Sequence, residues 1–201
     1  MEFSELIKKR GMVRRFKDRS IEHEHLIKIL SNAARAPSAG HLQPWEFIVV
    51  TDHAIKQRLA EAAVKQMFIA EAPVVIVTCA DTDRSASRYG ERGKRFYSII
   101  DTAFASLLIL LTARDLSLGA CFVGAFDDSR VAEILALPKH VKPIGIIPIG
   151  YPAERPAKYE RIDINELVHL NRYGAKVNID RMIQQNSNGI NKDDRSYRSL
   201  L

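Results

Sequence analysis

The chain has 201 residues, of which 46% are hydrophobic and 27% charged, and its formal net charge is +6 at pH 7. This size and composition are typical of one soluble globular domain with a sizeable core. The longest apolar stretch, at residues 102–113, is shorter than the ~20 residues that span a bilayer, and the N-terminus lacks the apolar core of a signal peptide. We therefore expect a cytoplasmic protein.

The first part of the chain predicts two helices. A short helix at residues 2–10 has Phe3, Leu6 and Ile7 on one face, and Ser20 is the predicted N-cap of a second helix.

Two buried strands are predicted next, with helices between them. The aromatic and β-branched run at residues 45–50 predicts the first strand, and residues 74–80 predict the second. Asp52 predicts the N-cap of a helix that reaches about residue 64, and a short helical piece ends near residue 72.

The polar, charged residues 81–95 predict a mobile surface segment, which a long helix at residues 96–114 follows. The predicted core face of this helix consists of Ile100, Phe104, Leu107, Leu108 and Leu111. The remaining predicted elements are a strand at 119–123, a helix at 128–136 capped by Asp127 or Asp128, and a strand at 144–150. This alternation predicts a layered α/β or α+β domain.

The connection before the first strand, residues 37–44, consists of small side chains, two prolines and few polar groups. Small residues let a backbone approach another group closely, and Pro37 and Pro44 fix φ at both ends. A plain surface loop would carry more charge. We therefore expect this stiff loop to lie against another molecule or subunit.

Common catalytic motifs are absent from the sequence. It contains no G-x-G-x-x-G after the first strand, no Walker motif, no G-x-S-x-G, no H-E-x-x-H and no zinc-type Cys/His spacing. Cys79 and Cys121 lie in apolar runs, which favours reduced, buried thiols, and Cys121 has no histidine near it in sequence to activate it. These absences favour a bound organic cofactor that brings its own chemistry.

The one dense basic run, residues 8–19, favours the binding of a phosphate group over a merely solvated surface. Because this run has little aromatic interleaving, a nucleic-acid-binding domain is the weaker interpretation.

Four stretches carry a family resemblance: RGMVRRF at residues 10–16, PSAGHLQPWEF at 37–47, LSLGACFVGAF at 116–126 and IPIGYPAERP at 147–156. Their order and spacing resemble the FMN-dependent nitroreductase family. The resemblance implies an α+β fold with a mostly antiparallel sheet sandwiched by helices. It also implies an intertwined homodimer with two FMN sites at the interface. The FMN-binding domain would occupy residues 1–174, and residues 175–201 would form a polar arm that wraps the partner or is disordered.

The basic positions of the family are implied to bind the anionic end of FMN. By resemblance, Arg10 contacts the phosphate and Arg14 lies at the N1–C2 carbonyl edge of the flavin, where a cation stabilises the reduced ring. Gly11 and Met12 stand where the family has arginine and serine, so only backbone contacts carry over to them. Arg161 matches the late basic position of the family and is also expected at the phosphate.

The stiff loop corresponds to a segment that the partner subunit lays along the flavin. The implied contacts are Pro37, Ser38, Ala39 and His41, with Ser38 bonding the phosphate or ribityl hydroxyls. His41 replaces the asparagine of the family, and a solvated loop histidine stays the alternative. Gln43 and Trp45 are expected to hold the loop in shape.

The third stretch is implied to pack on the flavin face that substrates do not use. Its residues are Phe122, Val123, Gly124 and Ala125, and a backbone N–H at Gly124 or Ala125 would meet flavin N5. Glycine allows that close approach.

The resemblance implies an FMN-dependent oxidoreductase. NADH or NADPH would donate a hydride to the flavin, and a nitroaromatic, a quinone or a similar small acceptor would take the electrons. No catalytic side chain and no metal are expected, because the isoalloxazine does the chemistry. The alternatives are a specialised relative, such as a flavin destructase, dehalogenase or dehydrogenase, or a non-catalytic flavin-binding protein.

Overall fold

The structure is a computed structural model that describes residues 2–156 and 159–179. The chain divides into two compact units, with the boundary after residue 158. Most of the predicted polar arm, residues 180–201, lies outside the described residues. The domain limit at residue 174 therefore stays a prediction.

The first unit combines helices with a four-stranded sheet. Its helices are α1 (Phe3–Lys9), α2 (His23–Ala33), α3 (His53–Ala62), α4 (Phe68–Glu71), α5 (Thr82–Arg92), α6 (Ser98–Asp115) and α7 (Asp128–Ile134). Its strands are β1 (Trp45–Val50), β2 (Val74–Asp81), β3 (Gly119–Ala120) and β4 (Val141–Gly150). The second unit contains a short helix, α8 (Ile164–Leu167).

The sheet has the order β1-β2-β4-β3, and its strand pairs are antiparallel. Successive side chains of a strand point to opposite faces, and helices cover both faces here. Val75, Val77 and Cys79 of β2 pack against α3, α4 and α7. Val74 and Ile76 pack on the other face against α2 and α6. The predicted α+β sandwich is confirmed, and both cysteines are buried free thiols.

Predictions from local capping chemistry had mixed outcomes. The Asp52 carboxylate accepts from the Ile55 N–H at 2.9 Å, and Asp127 accepts from the Arg130 N–H at 3.0 Å, so both predicted caps are confirmed. The Ser20 cap is wrong, because α2 begins after Glu22 and not beside Ser20. The third strand is shorter than predicted: beyond β3, only Val123 bridges β4, at Ile146.

The prediction of a mobile segment at residues 81–95 is wrong. The Asp81 carboxylate caps α5 by accepting from the Arg84 N–H at 2.9 Å. A π-helical turn at Gly93–Tyr97 then joins α5 to α6. The continuous helical stretch Thr82–Asp115 is long and apolar enough to cross a membrane. Half of its most apolar part, however, is buried inside the fold. It is therefore organised as a core helix.

The predicted core face of α6 is wrong for Phe104 and Leu107, which are 43% and 48% exposed. The helix turns its small residues towards the sheet, and Ser106 donates to the Thr78 hydroxyl at 2.9 Å. Small side chains let the helix approach the sheet closely, and Ile109 and Leu110 complete its buried face, whereas Phe104 and Leu107 lie on the outer side. Apolar residues surround this helix, so its sequence pattern does not distinguish the two faces.

Candidate functional site

Residues 10–16, the arginine segment, run beside the short edge strand β3. Arg10 ends α1, with its backbone N–H donating to the Leu6 carbonyl at 2.9 Å. Met12 forms a parallel bridge with Ala120, and the Val13 N–H donates to the Ala120 carbonyl at 3.1 Å. The Phe122 N–H donates to the Met12 thioether sulfur at 3.4 Å. The segment thereby extends the sheet and connects directly to the third sequence stretch.

One carboxylate fixes the backbone that carries the next two arginines. Glu154 Oε1 accepts from the Arg14 N–H at 2.7 Å and from the Arg15 N–H at 3.2 Å. The Ala153 N–H donates in turn to the Arg15 carbonyl at 2.9 Å. Sequence reasoning missed Glu154, although it lies inside the fourth stretch, because its partners are about 140 residues away in sequence.

The Arg14 guanidinium lies near the Cys121 thiol and 5.9 Å from the centre of the Phe68 ring. Burial raises the pKa of Cys121, and Arg14 opposes that shift only in part. A thiol with a raised pKa stays protonated at neutral pH, so Cys121 is not an activated nucleophile. Within residues 2–156 and 159–179, no carboxylate forms an ion pair with Arg10 or Arg14.

Residues 122–125, the strand-end segment, leave β3 and turn towards α7. Val123 exchanges two backbone hydrogen bonds with Ile146, at 2.9 and 3.0 Å. The Phe122 ring covers Gly145, where a Cβ would come within 2.3 Å of the ring. Gly124 and Ala125 are exposed, and within the described part of the chain their N–H groups have no hydrogen-bond acceptor. These donors can therefore bind a ligand.

Residues 37–44, the proline loop, are held by bonds inside the subunit. The Ala39 N–H donates to the carboxylate of Asp101 at 3.1 Å, and Asp101 is only 3% exposed. Ser38 Oγ accepts from the Gln43 N–H at 3.0 Å, and the Gln43 amide lies 3.0 Å from the ring of His41. Gln43 therefore shapes the loop, as predicted. The available signal for Asp101 was an acidic residue in the first turn of the otherwise apolar helix α6.

Backbone geometry also gives the proline loop its shape. Gly40 has a φ of 56° and His41 a φ of 59°, so two successive residues adopt the left-handed conformation. His41 is exposed. Its ring bonds with Gln43 of the same loop and is directed neither to the arginine segment nor to the strand-end segment.

The structure brings the arginine segment and the strand-end segment together and leaves the proline loop apart from them. The proline loop leads into β1 at one sheet edge, whereas Met12 pairs with β3 at the other. Four strand steps separate Met12 from β1, which amounts to roughly 19 Å at the usual strand spacing. Arg161 belongs to the second unit, where it is exposed and precedes α8.

Comparisons with known proteins identify the family of the chain. The model of the Nitroreductase family matches residues 7–71 and 63–151. An NADH dehydrogenase of Thermus thermophilus is 33% identical over 187 residues, which cover 80% of this chain and 91% of that protein. An FMN reductase (NADPH) of Bacillus subtilis is 27% identical over 176 residues, which cover 81% and 71% of the two chains.

The fold matches solved structures as well. The crystal structure of a nitroreductase family protein from Clostridium novyi superposes with a TM-score of 0.70 at 30% identity, covering 88% of this chain and 97% of that chain.

Proposed function

The chain belongs to the nitroreductase family, and we propose that it is an FMN-dependent oxidoreductase with NADH or NADPH as electron donor. Its electron acceptor is a small electron-poor molecule such as a nitroaromatic or a quinone. The relatives support this function, because their names include NADH dehydrogenase and FMN reductase (NADPH). They also leave the choice between NADH and NADPH open. A cytoplasmic location is part of the proposal.

The observation that carries the proposal concerns two neighbouring segments of the described chain. One carries arginines that have no carboxylate partner, and the other carries backbone N–H groups that have no acceptor. Arg10 and Arg14 lack a carboxylate partner within the described residues, and the arginine segment contacts the strand-end segment through Met12 and Phe122. FMN combines a phosphate dianion with a polar ring edge, so it matches both groups. A guanidinium binds phosphate by charge-assisted bonds, and open N–H groups bind ring nitrogen or oxygen.

The contacts proposed for FMN follow the family positions. Arg10 and Arg161 bind the phosphate, and Arg14 lies at the flavin N1–C2 edge. Gly11 and Met12 contribute backbone contacts. The strand-end segment, Phe122, Val123, Gly124 and Ala125, packs against the ring, and the absence of a Cβ at Gly124 keeps its N–H accessible. When bound, FMN supplies the two-electron chemistry, accepting a hydride from the nucleotide and reducing the acceptor.

The remaining contacts come from a second copy of the chain. Pro37, Ser38, Ala39 and His41 lie on the proline loop, at the sheet edge remote from the arginine segment, so one copy does not bring both to the same flavin. Homodimerisation supplies the missing half of each site. It also explains five apolar side chains on α1 and α6 that are exposed in one copy, namely Phe3, Ile7, Ile99, Phe104 and Leu107. We call these five residues the apolar face, and large exposed apolar patches mark interfaces.

The experiment has two steps. The purified protein is expected to be yellow with bound FMN, and anaerobic addition of NADH or NADPH is expected to bleach the flavin absorbance. A screen of acceptors on the reduced protein then identifies the oxidising substrate. Flavin that neither nucleotide bleaches would indicate a non-catalytic flavin-binding protein. Bleaching without turnover of nitroaromatics or quinones would indicate a specialised relative.

A further inference from the structure

The junction of α5 and the π-helical turn carries a compact group of arginine and aromatic side chains. Arg88 lies 5.6 Å from the centre of the Tyr89 ring, and the Tyr89 and Tyr97 rings contact edge to face at 5.0 Å. Arg92 lies 4.8 Å from the Phe96 ring centre and 5.3 Å from that of Tyr97. We call these five residues the arginine–aromatic cluster.

The guanidinium groups of this cluster are held in place without being neutralised. Arg92 Nε donates to the Tyr97 hydroxyl at 3.1 Å, and among the described residues its two terminal nitrogens have no hydrogen-bond acceptor. Within the described parts of the chain, neither Arg88 nor Arg92 forms an ion pair. Both side chains are exposed. An aromatic face orients a guanidinium while keeping its charge and its donors available.

Neighbouring cations of the same segment differ in this respect. Lys94 pairs with Asp83 at 3.6 Å, and Arg95 pairs with Glu91 at 3.0 Å. Arg84, at the start of α5, is paired as well, with Glu46 and Asp81. Carboxylates therefore neutralise three cations of α5 and the π-helical turn, and Arg88 and Arg92 stay available for an external anion. A π-helical turn beside a glycine with a φ of 53°, at Gly90, is an unusual backbone that is common near functional sites.

The cluster touches the proline loop directly. A Cβ at Gly40 would come within 2.7 Å of the Tyr89 hydroxyl and 2.9 Å of Arg88 Nη1. Gly40 lies between Ala39 and His41, two of the residues assigned to the partner's FMN in the proposed function, on which this inference rests. The cluster therefore lies beside the part of the proline loop that the proposed dimer places on the partner's FMN.

We infer that Arg88 and Arg92 bind the phosphate groups of the nicotinamide nucleotide that reduces the enzyme. A dinucleotide donor carries two linked phosphates, and NADPH carries a third on its ribose. Guanidinium groups bind such oxyanions with two parallel hydrogen bonds. The aromatic rings of the cluster add a surface on which a flat base can stack.

The test uses FMN-loaded enzyme and anaerobic stopped-flow reduction of the flavin. The variants are Arg88→Gln and Arg92→Gln, and the matched control is Arg95→Gln, which removes the same charge from a residue that Glu91 already pairs. Four donors are compared: NADPH, NADH, reduced nicotinamide mononucleotide, and 1-benzyl-1,4-dihydronicotinamide, which has no phosphate.

The Kd for NADPH or NADH is expected to rise about ten- to a hundredfold in Arg88→Gln and Arg92→Gln, because each loses a charge-assisted contact. In these two variants, the rate of flavin reduction at saturating donor and the rate of reduction by the benzyl compound are expected to stay at wild-type values. The control Arg95→Gln is expected to keep the wild-type Kd and the wild-type reduction rates with every donor. An effect on NADPH alone assigns the cluster to the ribose phosphate, and an effect on both dinucleotides assigns it to the linked phosphates.

Two results would overturn the inference while leaving the proposed function intact. One is wild-type affinity for both dinucleotides in the two variants, and the other is an equal loss with the benzyl compound, which indicates a structural role. A wild-type protein that holds no FMN, or whose FMN no dihydronicotinamide reduces, rejects the proposed function together with the inference.

Discussion

At the scale of single residues, the carboxylate of Glu154 links two distant parts of the chain. It accepts from two successive backbone N–H groups, at Arg14 and Arg15. Hydrogen bonds to a charged acceptor are stronger than neutral ones, so this contact fixes the direction in which the Arg14 side chain leaves the backbone. Glu154 acts on the proposed cofactor site through the backbone of the arginine segment. It is a positioning residue.

Replacing Glu154 by alanine should weaken FMN binding about tenfold, because the arginine segment loses a contact worth roughly 1.5–3 kcal/mol. Glu154→Gln should retain most of the affinity, since the amide oxygen accepts the same hydrogen bonds. Flavin fluorescence titration of both variants checks this expectation. Wild-type FMN affinity in Glu154→Ala would mean that the segment keeps its conformation without the carboxylate.

Arg10→Ala and Arg161→Ala should each lower FMN affinity about ten- to a hundredfold with little loss of fold, through the loss of a phosphate contact. Arg15→Ala is the control, because this exposed arginine has no assigned cofactor contact. Retention of FMN is measured by dialysis, and folding by thermal unfolding. If Arg10→Ala and Arg161→Ala retain FMN as Arg15→Ala does, the assignment of the phosphate site is wrong.

At the scale of elements, the proline loop is anchored by α6. Asp101 lies one turn inside that helix, and its carboxylate accepts the Ala39 N–H. Burial raises the pKa of Asp101, and the hydrogen bond from Ala39 opposes the shift in part. The folded protein therefore binds the proton of Asp101 more tightly than the unfolded chain does. Between the unfolded and folded pKa values, this group makes the protein less stable as pH rises.

Asp101→Asn tests the sign of that dependence. Asparagine keeps an acceptor for the Ala39 N–H but cannot ionise. Relative to wild type, the variant should therefore gain stability as pH rises from about 4, near the pKa of an unfolded aspartate, towards 7. Thermal unfolding of both proteins across this range measures the difference. A difference that is constant with pH would show that Asp101 ionises as freely in the folded as in the unfolded state.

Elements defined by local chemistry could be predicted, and elements decided by distant contacts could not. Asp52 and Asp127 cap helices through their own neighbours, so their sequence context was sufficient. The polar sequence of α5 gave no apolar pattern to detect. Its helix is capped locally by Asp81 but sits against the proline loop, more than 40 residues earlier in the chain. The candidate site follows the same rule. The sequence motifs pointed to the arginine and strand-end segments, whereas the contacts of Glu154 with Arg14 and of Arg88 with the proline loop join residues far apart in the chain.

At the scale of the whole molecule, the apolar face explains why the core side of α6 was misjudged. Sequence periodicity reports which residues avoid water and does not report which partner covers them. Phe104 and Leu107 avoid water as strongly as core residues do, but within the described residues of one subunit they are 43% and 48% exposed. A homodimer in which this face is buried accounts for their presence on an exposed surface.

Leu107→Lys should therefore produce a monomer that loses FMN, because a buried unpaired charge costs several kcal/mol at an interface. Val64→Lys is the matched control, as Val64 is exposed, apolar and outside this face. Sedimentation velocity gives the oligomeric state, and absorbance gives the bound flavin. A Leu107→Lys dimer with full flavin content, or a wild-type monomer that binds FMN stoichiometrically, would contradict the dimer proposal.

The placement of the two half-sites at opposite sheet edges has a genetic consequence. If each site takes its arginine segment from one chain and its proline loop from the other, two differently damaged chains can complement each other. A subunit with Arg10→Ala, mixed with a subunit damaged only in the proline loop, would form hybrids with one fully intact site and one doubly damaged site. Random reassociation of equal amounts would then make about a quarter of all sites fully intact, although neither parent has an intact site, whereas sites built within one chain would give none.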